Sequence, residues 1–490
     1  MIIAWSICWF AAPITAQDLP DRTTMRFDED YSGLRDPAAR PDSWWESRGF
    51  TPLDDHHPTH AYATAGLEAR ARYEFLQDDG FGEGPQDDGG YFQTRLLPHL
   101  SVHLPLDDPA QYVDRNPPEI RGFVQLIVAH ELGHDQRPDP IDENRGDLLQ
   151  GFFEFSTPLD LSPTDKGRLA FQAGRRALSF GSERLVGTRY GVNVPRSFDG
   201  FFGNFQSSST TFDLFWARPV VNDPNPWDDA SSDQQSLWGI YSTWDLGAFA
   251  TEAGIDLYYL GFLDDSSTFA QNFGGNPARE IRHTFGSRFY GRTPFATDQT
   301  TNTVLDWNLE AFLQTGRFDG ASIQAWSLAT DMGITFDTAG QPRIGLKANI
   351  ISGDDDPDDP DLQTFNPLFP RGTYFGELSP VGPYNLINAQ ASLAVKPTSE
   401  WTATLQGGPF FRESTDDGVY GIPGNVIRPP SDLSDSRSIG WQWELLLEGS
   451  LSQNTDLLIS YGQFHPGNFI EQTGAAEVIH LGAIELRLRF

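Results

Sequence analysis

The final seven residues, Ile484-Glu485-Leu486-Arg487-Leu488-Arg489-Phe490, alternate apolar and charged side chains without a break and end on an aromatic ring. Successive strand side chains point to opposite faces. Ile484, Leu486, Leu488 and Phe490 therefore share one face, and Glu485, Arg487 and Arg489 share the other. A soluble sheet with a wetted charged face would satisfy this stretch alone, but the strands upstream argue against it. In Ile439 to Glu448 one parity carries Trp441 and Trp443, and the other carries Gln442, Glu444 and Glu448. Asp456 to Phe464 follows after a tight Gln453-Asn454 turn. Bulky apolar residues on one face, charge on the other and a terminal Phe read as the closing hairpins of an outer-membrane β-barrel.

Composition agrees. A chain of 490 residues normally implies several soluble domains, yet one closed sheet absorbs this length. With 38% hydrophobic residues and a mean hydropathy of -0.41, the chain lacks helical spans, each of which needs about 20 consecutive apolar residues. A barrel needs only alternate residues to meet lipid. The only long apolar run, Met1 to Ala16, reads as a secretory signal peptide cleaved after Ala16, although no Lys or Arg precedes Arg22. Cys8, the single cysteine, lies inside it, so the processed chain has neither disulfides nor cysteine-ligated metal. A formal charge of -34 opposes nucleic-acid binding. Lys166, Lys347 and Lys396 are the only lysines among 34 basic residues. A GC-rich genome produces such a bias, and so does selection for guanidinium, which binds carboxylate in a bidentate way that ammonium does not.

Residues 17–60 are polar, rich in Pro and Asp, and without period, which suggests an irregular periplasmic lead-in to a barrel spanning 61–490. Leu67 to Phe75 is a clear first strand. Seventeen further segments follow, from 90–104 to 477–490, and the expected fold is all-β: a transmembrane antiparallel up-and-down β-barrel of about 18 strands. Connections after even-numbered strands are mostly short, such as Ser207-Ser209, Asp337-Gln341, Pro397-Glu400 and Gln453-Asn454. Those after odd-numbered strands are long and acidic, such as Gln77 to Gly89, Ala177 to Ser197, Gly353 to Tyr384 and Ser414 to Ser436. Short periplasmic turns and long extracellular loops are the barrel pattern; Pro105 to Glu119 breaks it. A propeller would show a blade-length repeat, and none is present.

Two local motifs carry other chemistry. His130-Glu131-Leu132-Gly133-His134 matches the zinc-protease signature, which requires a helix to bring both His to one face. The preceding Phe123 to Val128 reads as a strand, Pro138 and Pro140 prevent a helix, and on a strand the two His stand about 13 Å apart. The match is therefore expected to be fortuitous. Asp354, Asp355, Asp356 and Asp358 form an acidic run that is a candidate for structural Ca²⁺, although it lacks an EF-hand's glycine and terminal glutamate, and a solvated loop explains it equally. No other cofactor is expected.

If apolar residues face lipid, the opposite parity faces the lumen. That places Arg70, Arg72, Arg95, Arg168, Arg176, Arg282, Arg288, Arg292, Lys347, Arg412, Arg487 and Arg489 inside, among Glu68, Glu74, Glu154, Glu310, Glu444, Glu448 and Glu485. The reverse orientation would cost about 2–4 kcal/mol per arginine near the midplane. Such a wall either pairs with itself as filler or forms a constriction that favours anions.

The chain resembles the alginate export family of outer-membrane barrels. The resemblance is carried by Phe171-Gln172-Ala173-Gly174-Arg175-Arg176-Ala177-Leu178, Gly181-Ser182-Glu183-Arg184-Leu185, Arg196-Ser197-Phe198-Asp199-Gly200, Thr364-Phe365-Asn366-Pro367-Leu368-Phe369-Pro370-Arg371-Gly372, Phe410-Phe411-Arg412-Glu413-Ser414 and the tail from Gly440. No single motif is specific; their order along the chain is. The resemblance implies an 18-stranded monomeric barrel whose arginine-rich constriction passes a polyuronate. It makes Arg176, Arg412, Arg487 and Arg489 candidates for that lining, and Arg184, Arg189, Arg196 and Arg371 candidates on loops that fold inward. The loops differ from the alginate exporter's, and nothing names alginate. Expected partners are outer-membrane lipid and lipopolysaccharide, an anionic carbohydrate, the barrel-assembly machinery through Phe490 and a periplasmic export partner. The expected function is passive passage of anionic, uronate-type carbohydrate without catalysis; a general or small-anion porin of the same fold is the alternative.

Overall fold

The computed structural model describes residues 23–36, 40, 49–54, 60–84, 86, 89–112, 115–133, 139–269, 277–294, 303–356 and 359–490. The leader, His134 and Asp358 lie outside the described residues. Eighteen long strands dominate. The first six are β1 (Tyr62–Gln77), β2 (Gly90–Pro105), β3 (Glu119–Leu132), β4 (Asn144–Asp160), β5 (Lys166–Arg176) and β6 (Phe198–Gln206). The next six are β7 (Thr210–Val221), β8 (Gln235–Asp245), β9 (Gly254–Ser267), β10 (Ala278–Pro294), β11 (Val304–Phe318) and β12 (Ala321–Thr335). The last six are β13 (Arg343–Ile351), β14 (Leu386–Val395), β15 (Trp401–Arg412), β16 (Ser438–Ser452), β17 (Thr455–Pro466) and β18 (Ile479–Arg489). The only α-helix among the described residues, α1 (Asn468–Thr473), is far too short to cross a membrane.

Each strand pairs antiparallel with its sequence neighbours, and β18 closes on β1 with Arg70 opposite Arg487 and Tyr73 opposite Ile484. Closure leaves no unpaired edge, the condition for a sheet to sit in hydrocarbon. The outer face carries Phe153, Phe171, Phe201, Leu214, Leu313, Ile344 and Ile484, all exposed, whereas Glu68, Arg95, Arg282, Glu444 and Glu485 are buried on the inner face. This reverses a soluble protein's pattern, as lipid-facing strands require, and the parity matches that of the C-terminal alternation.

The start of β1, the end of β18 and most short turns lie at one end of the barrel, and the long loops lie at the other. Two connections depart from this rule. Residues 106–118, at the short-turn end, form a longer loop that reaches the N-terminal segment through Asn116. At the opposite end β11 and β12 are joined by Asp319–Gly320 alone, with φ of 46° and 89°. A two-residue hairpin of this kind needs positive φ at both positions, which Asp-Gly tolerates.

The three longest loops, 177–197, 352–385 and 413–437, do not simply cap the barrel. Leu178, Leu185, Val186, Phe365, Phe369, Tyr374, Phe375, Leu378 and Val381 pack as one apolar cluster with inward-facing Phe198, Phe202, Phe215, Tyr241, Phe262, Phe312, Phe410 and Phe464. The long-loop half of the barrel is thereby filled. Phe369 shows how tightly: its ring meets Phe198 at 5.3 Å and Phe262 at 5.7 Å, both edge-on.

Candidate functional site in the barrel lumen

The register of β18, β1 and β2 sets Arg487, Arg70 and Arg95 opposite one another. Three adjacent guanidiniums repel unless something holds them. Arg95 Nη2 donates to Glu68 Oε1 at 2.9 Å, and Arg70 Nη1 lies 3.7 Å from Glu485. Arg72 bridges Glu74 at 2.7 Å, Glu377 at 2.9 Å and Glu485 at 3.3 Å. The remaining donors are taken by loop 177–197. Arg70 Nη1 donates to the Gly191 and Val192 carbonyls at 2.7 and 3.1 Å, and Arg95 Nη1 to those of Val192 and Tyr190 at 2.9 and 3.1 Å. The Tyr190 ring lies under two cations, Arg95 at 4.5 Å and Arg487 at 4.9 Å, and its hydroxyl donates to Glu68. Charge-assisted bonds and cation–π contact thus pin the loop tip to the far wall.

Other arginines also fasten loops. Arg184 reaches from loop 177–197 to Glu310 at 3.2 Å and Asn349 at 2.9 Å, and its ring contact is Tyr374. Arg412 is fully buried, donates to the Thr415 and Ser436 carbonyls at 2.7 Å each, and stacks on Phe469 at 3.6 Å. Arg282 is held by Glu280 at 2.6 Å and Gln314 at 2.8 Å. Arg288 is held by Asp256 and Asn308, both at 3.0 Å. Within the loops, Arg189 donates to Val194 O at 3.3 Å, Arg196 lies over Phe369 at 5.1 Å, and Arg371 donates to Thr373 at 3.1 Å.

Toward the short-turn end the inner wall is more polar. Arg168, Arg487, Arg489 and Arg343 are half-buried there, and Arg176, half-buried too, stands at the loop end of β5 opposite Phe198. Arg489 pairs with Asp456, Arg487 with Glu485, and Arg343 with Asp306 at 2.6 Å. Arg343 escaped the sequence reading although it shares parity with Gly345 and Lys347, because it is the first residue of its strand. Arg121 also escaped it. Glu119, Gln125 and Glu131 share the parity of Arg121, but Phe123 and Ile127 interrupt that polar series and blur it. Tyr190 has no periodic signal at all.

Along β3, His130 is exposed and Glu131 is buried. Glu131 accepts from Gln93 Nε2 at 2.8 Å, and His130 stands 3.7 Å from Glu143. A strand therefore turns these two residues to opposite faces. In the acidic run, Asp354 Oδ1 accepts from the Asp356 amide at 3.2 Å, and the Asp354 amide donates to Asp417 Oδ2 at 2.9 Å.

A closed edgeless sheet, an apolar outer band and a charged lumen define an outer-membrane β-barrel of the porin type. Solved barrels from Pseudomonas aeruginosa share the architecture. OpdK with vanillate is 9% identical with a TM-score of 0.57, over 87% of this chain and 98% of that one. OccK2 (OpdF) in complex with glucuronate is 11% identical with a TM-score of 0.55, over 90% and 98%. OccD3 (OpdP) is 9% identical with a TM-score of 0.56, over 90% and 93%. At such identities the likeness is one of fold. No curated protein matches the chain. The alginate export family model matches residues 61–483, and the chain belongs to that family. Its place is the outer membrane of a Gram-negative bacterium.

Proposed function

We propose that this protein is a passive outer-membrane channel for anionic carbohydrate of the uronate type. The observation that carries the reading is the half-buried guanidinium set of the inner wall, Arg168, Arg343, Arg487 and Arg489 toward the short turns and Arg176 at the loop end of β5, in a chain whose formal charge is -34. Each is near an acid, so an incoming carboxylate exchanges one partner for another. Anions then enter a favourable wall without being trapped on it. The glucuronate in OccK2 and the vanillate in OpdK are carboxylates bound by barrels of the same architecture. Loops fill the long-loop half, so passage requires the Tyr190 loop or the Phe369 loop to yield, and at the short-turn end it requires the segment around Phe27 to yield. A general small-anion porin is the second reading, favoured by how little open lumen those loops leave.

Single-channel recording in planar bilayers tests both. The expected result is anion preference, with block by oligouronates that neutral oligosaccharides of equal length do not reproduce, and loss of that block in Arg487→Ala/Arg489→Ala. Cation preference would overturn the reading. Equal passage of small anions with no effect of oligouronates would leave the porin.

A further inference from the structure

The N-terminal segment enters the lumen from the short-turn end. At the rim it is anchored by Leu34, which packs with Phe50 and Tyr62. Arg35 Nη1 donates to Asn116 Oδ1, and Asn116 Nδ2 to Asp30 Oδ2, each at 3.1 Å. Deeper in, Arg26–Asp28 make a single 3₁₀ turn. Phe27 is 3% exposed, with its ring edge-on to Phe123 at 5.9 Å and to Phe152 at 5.4 Å. The Arg176 guanidinium covers that ring at 4.8 Å. Arg121 Nη1 donates to the Phe27 carbonyl at 2.6 Å. Arg26 pairs with Glu29 at 3.3 Å and donates to the Phe490 carbonyl at 2.8 Å, so the segment is tied to the last residue of the chain.

Asp28 is different. Its side chain is open to the lumen, within electrostatic reach of Arg176, Arg121 and Arg168. Glu154 is already engaged by Arg121 at 2.8 Å and Arg168 at 2.6 Å. Three guanidiniums here meet three carboxylates, Glu154, Asp213 and Asp28. Without Asp28 the pocket is one negative charge short. A ring in an aromatic cleft with a carboxylate beside it, presented to guanidiniums, describes a ligand as well as it describes a piece of wall.

We propose that the pocket formed by Phe123, Phe152, Arg121, Arg168 and Arg176 is a subsite for a ring-bearing carboxylate, and that Phe27-Asp28 is its tethered competitor. The ligand's ring takes the place of Phe27 and its carboxylate that of Asp28. Pyranose uronates and aryl carboxylates share this chemistry. A short tether gives an effective concentration of order millimolar, so free acids in that range displace the segment and clear the entrance. The inference rests on the channel reading but is read out separately from it.

The full chain in planar bilayers, with glucuronate, benzoate or glucose added on the short-turn side, supplies the test. In Phe27→Ala/Asp28→Asn the half-blocking concentration of at least one acid is expected to fall about tenfold, the gain from removing a tethered competitor, while glucose is unaffected. Whichever acid gains identifies the ring. No gain for either acid, or an equal gain for glucose, overturns the proposal. A second measurement needs no variant. In wild-type protein, hydrogen exchange of the 23–36 segment is expected to accelerate with saturating acid as the Asp28 amide leaves the Met25 carbonyl, now 2.9 Å away. Unchanged exchange at saturation overturns the proposal too. A cation-preferring wild-type channel would defeat the proposed function while leaving the exchange experiment to decide this one.

Discussion

The two ends of the lumen are lined by the same strands yet hold opposite chemistry. On β18 the inward set runs Ile479, Leu481 and Ala483 at the long-loop end, then Glu485, Arg487 and Arg489 toward the short turns. On β6 and β7, buried Phe198, Phe202 and Phe215 give way to Asn204 and Asp213. The apolar end holds loops as a protein core does, whereas the polar end leaves guanidiniums in contact with the lumen. The exception lies on β1 and β2, where Arg70 and Arg95 secure the Tyr190 loop through charge. Stability therefore resides at one end and solute contact at the other.

Three substitutions probe this division. Arg95→Ala is expected to have the largest effect, because it removes the cation paired with buried Glu68 and loosens the loop tip. Breaking one side of a buried ion pair costs about 3–5 kcal/mol, measurable by denaturant unfolding in micelles, and loop release should raise single-channel conductance. Phe369→Ala comes next, at about 3 kcal/mol for an emptied aromatic site. Arg489→Ala should cost about 1 kcal/mol or less in stability, since its pair with Asp456 is partly wetted, while lowering anion selectivity. If Arg489→Ala destabilises more than Phe369→Ala, the division of roles between the two ends fails.

A further effect concerns pH. Burial, reinforced by nearby Glu131, pushes the Asp142 carboxyl up to about 7 from its usual 3.8. The folded protein therefore holds this proton more tightly than the unfolded chain does. The resulting penalty is absent below about pH 4, grows as pH rises and is complete above about 7. The thermal midpoint should be slightly higher at pH 5 than at pH 8, and Asp142→Asn should flatten this dependence.

Much of the wall was legible in the sequence. Strand parity placed Arg70, Arg72, Arg95, Arg282, Arg412, Arg487 and Arg489 on the inner face because hydrocarbon rejects charge on alternate positions, a rule local to each strand. The even strand number and the long-loop and short-turn ends followed from spacing in the same way. The interior's filling was not legible. Phe198, Phe202, Leu481 and Phe464 are apolar whether they face lipid or loops, so alternation alone cannot tell that they meet Phe369 or Phe81 rather than a membrane. Arg121 was obscured by Phe123 and Ile127, apolar residues on its own face.

Alternation, charge and turn spacing by themselves settle that this chain closes into a barrel, which face meets lipid and which end carries the long loops, because each depends on neighbours two to a few residues apart. Only the tertiary structure decides which guanidiniums are spent. Arg70 and Arg95 are engaged by carbonyls about a hundred residues away in the chain, at Tyr190 to Val192, and Phe27 finds Phe123 and Phe152 across the lumen. Those contacts join segments without period or fixed spacing, and the free energy that selects them comes from burial and charge compensation in the closed barrel.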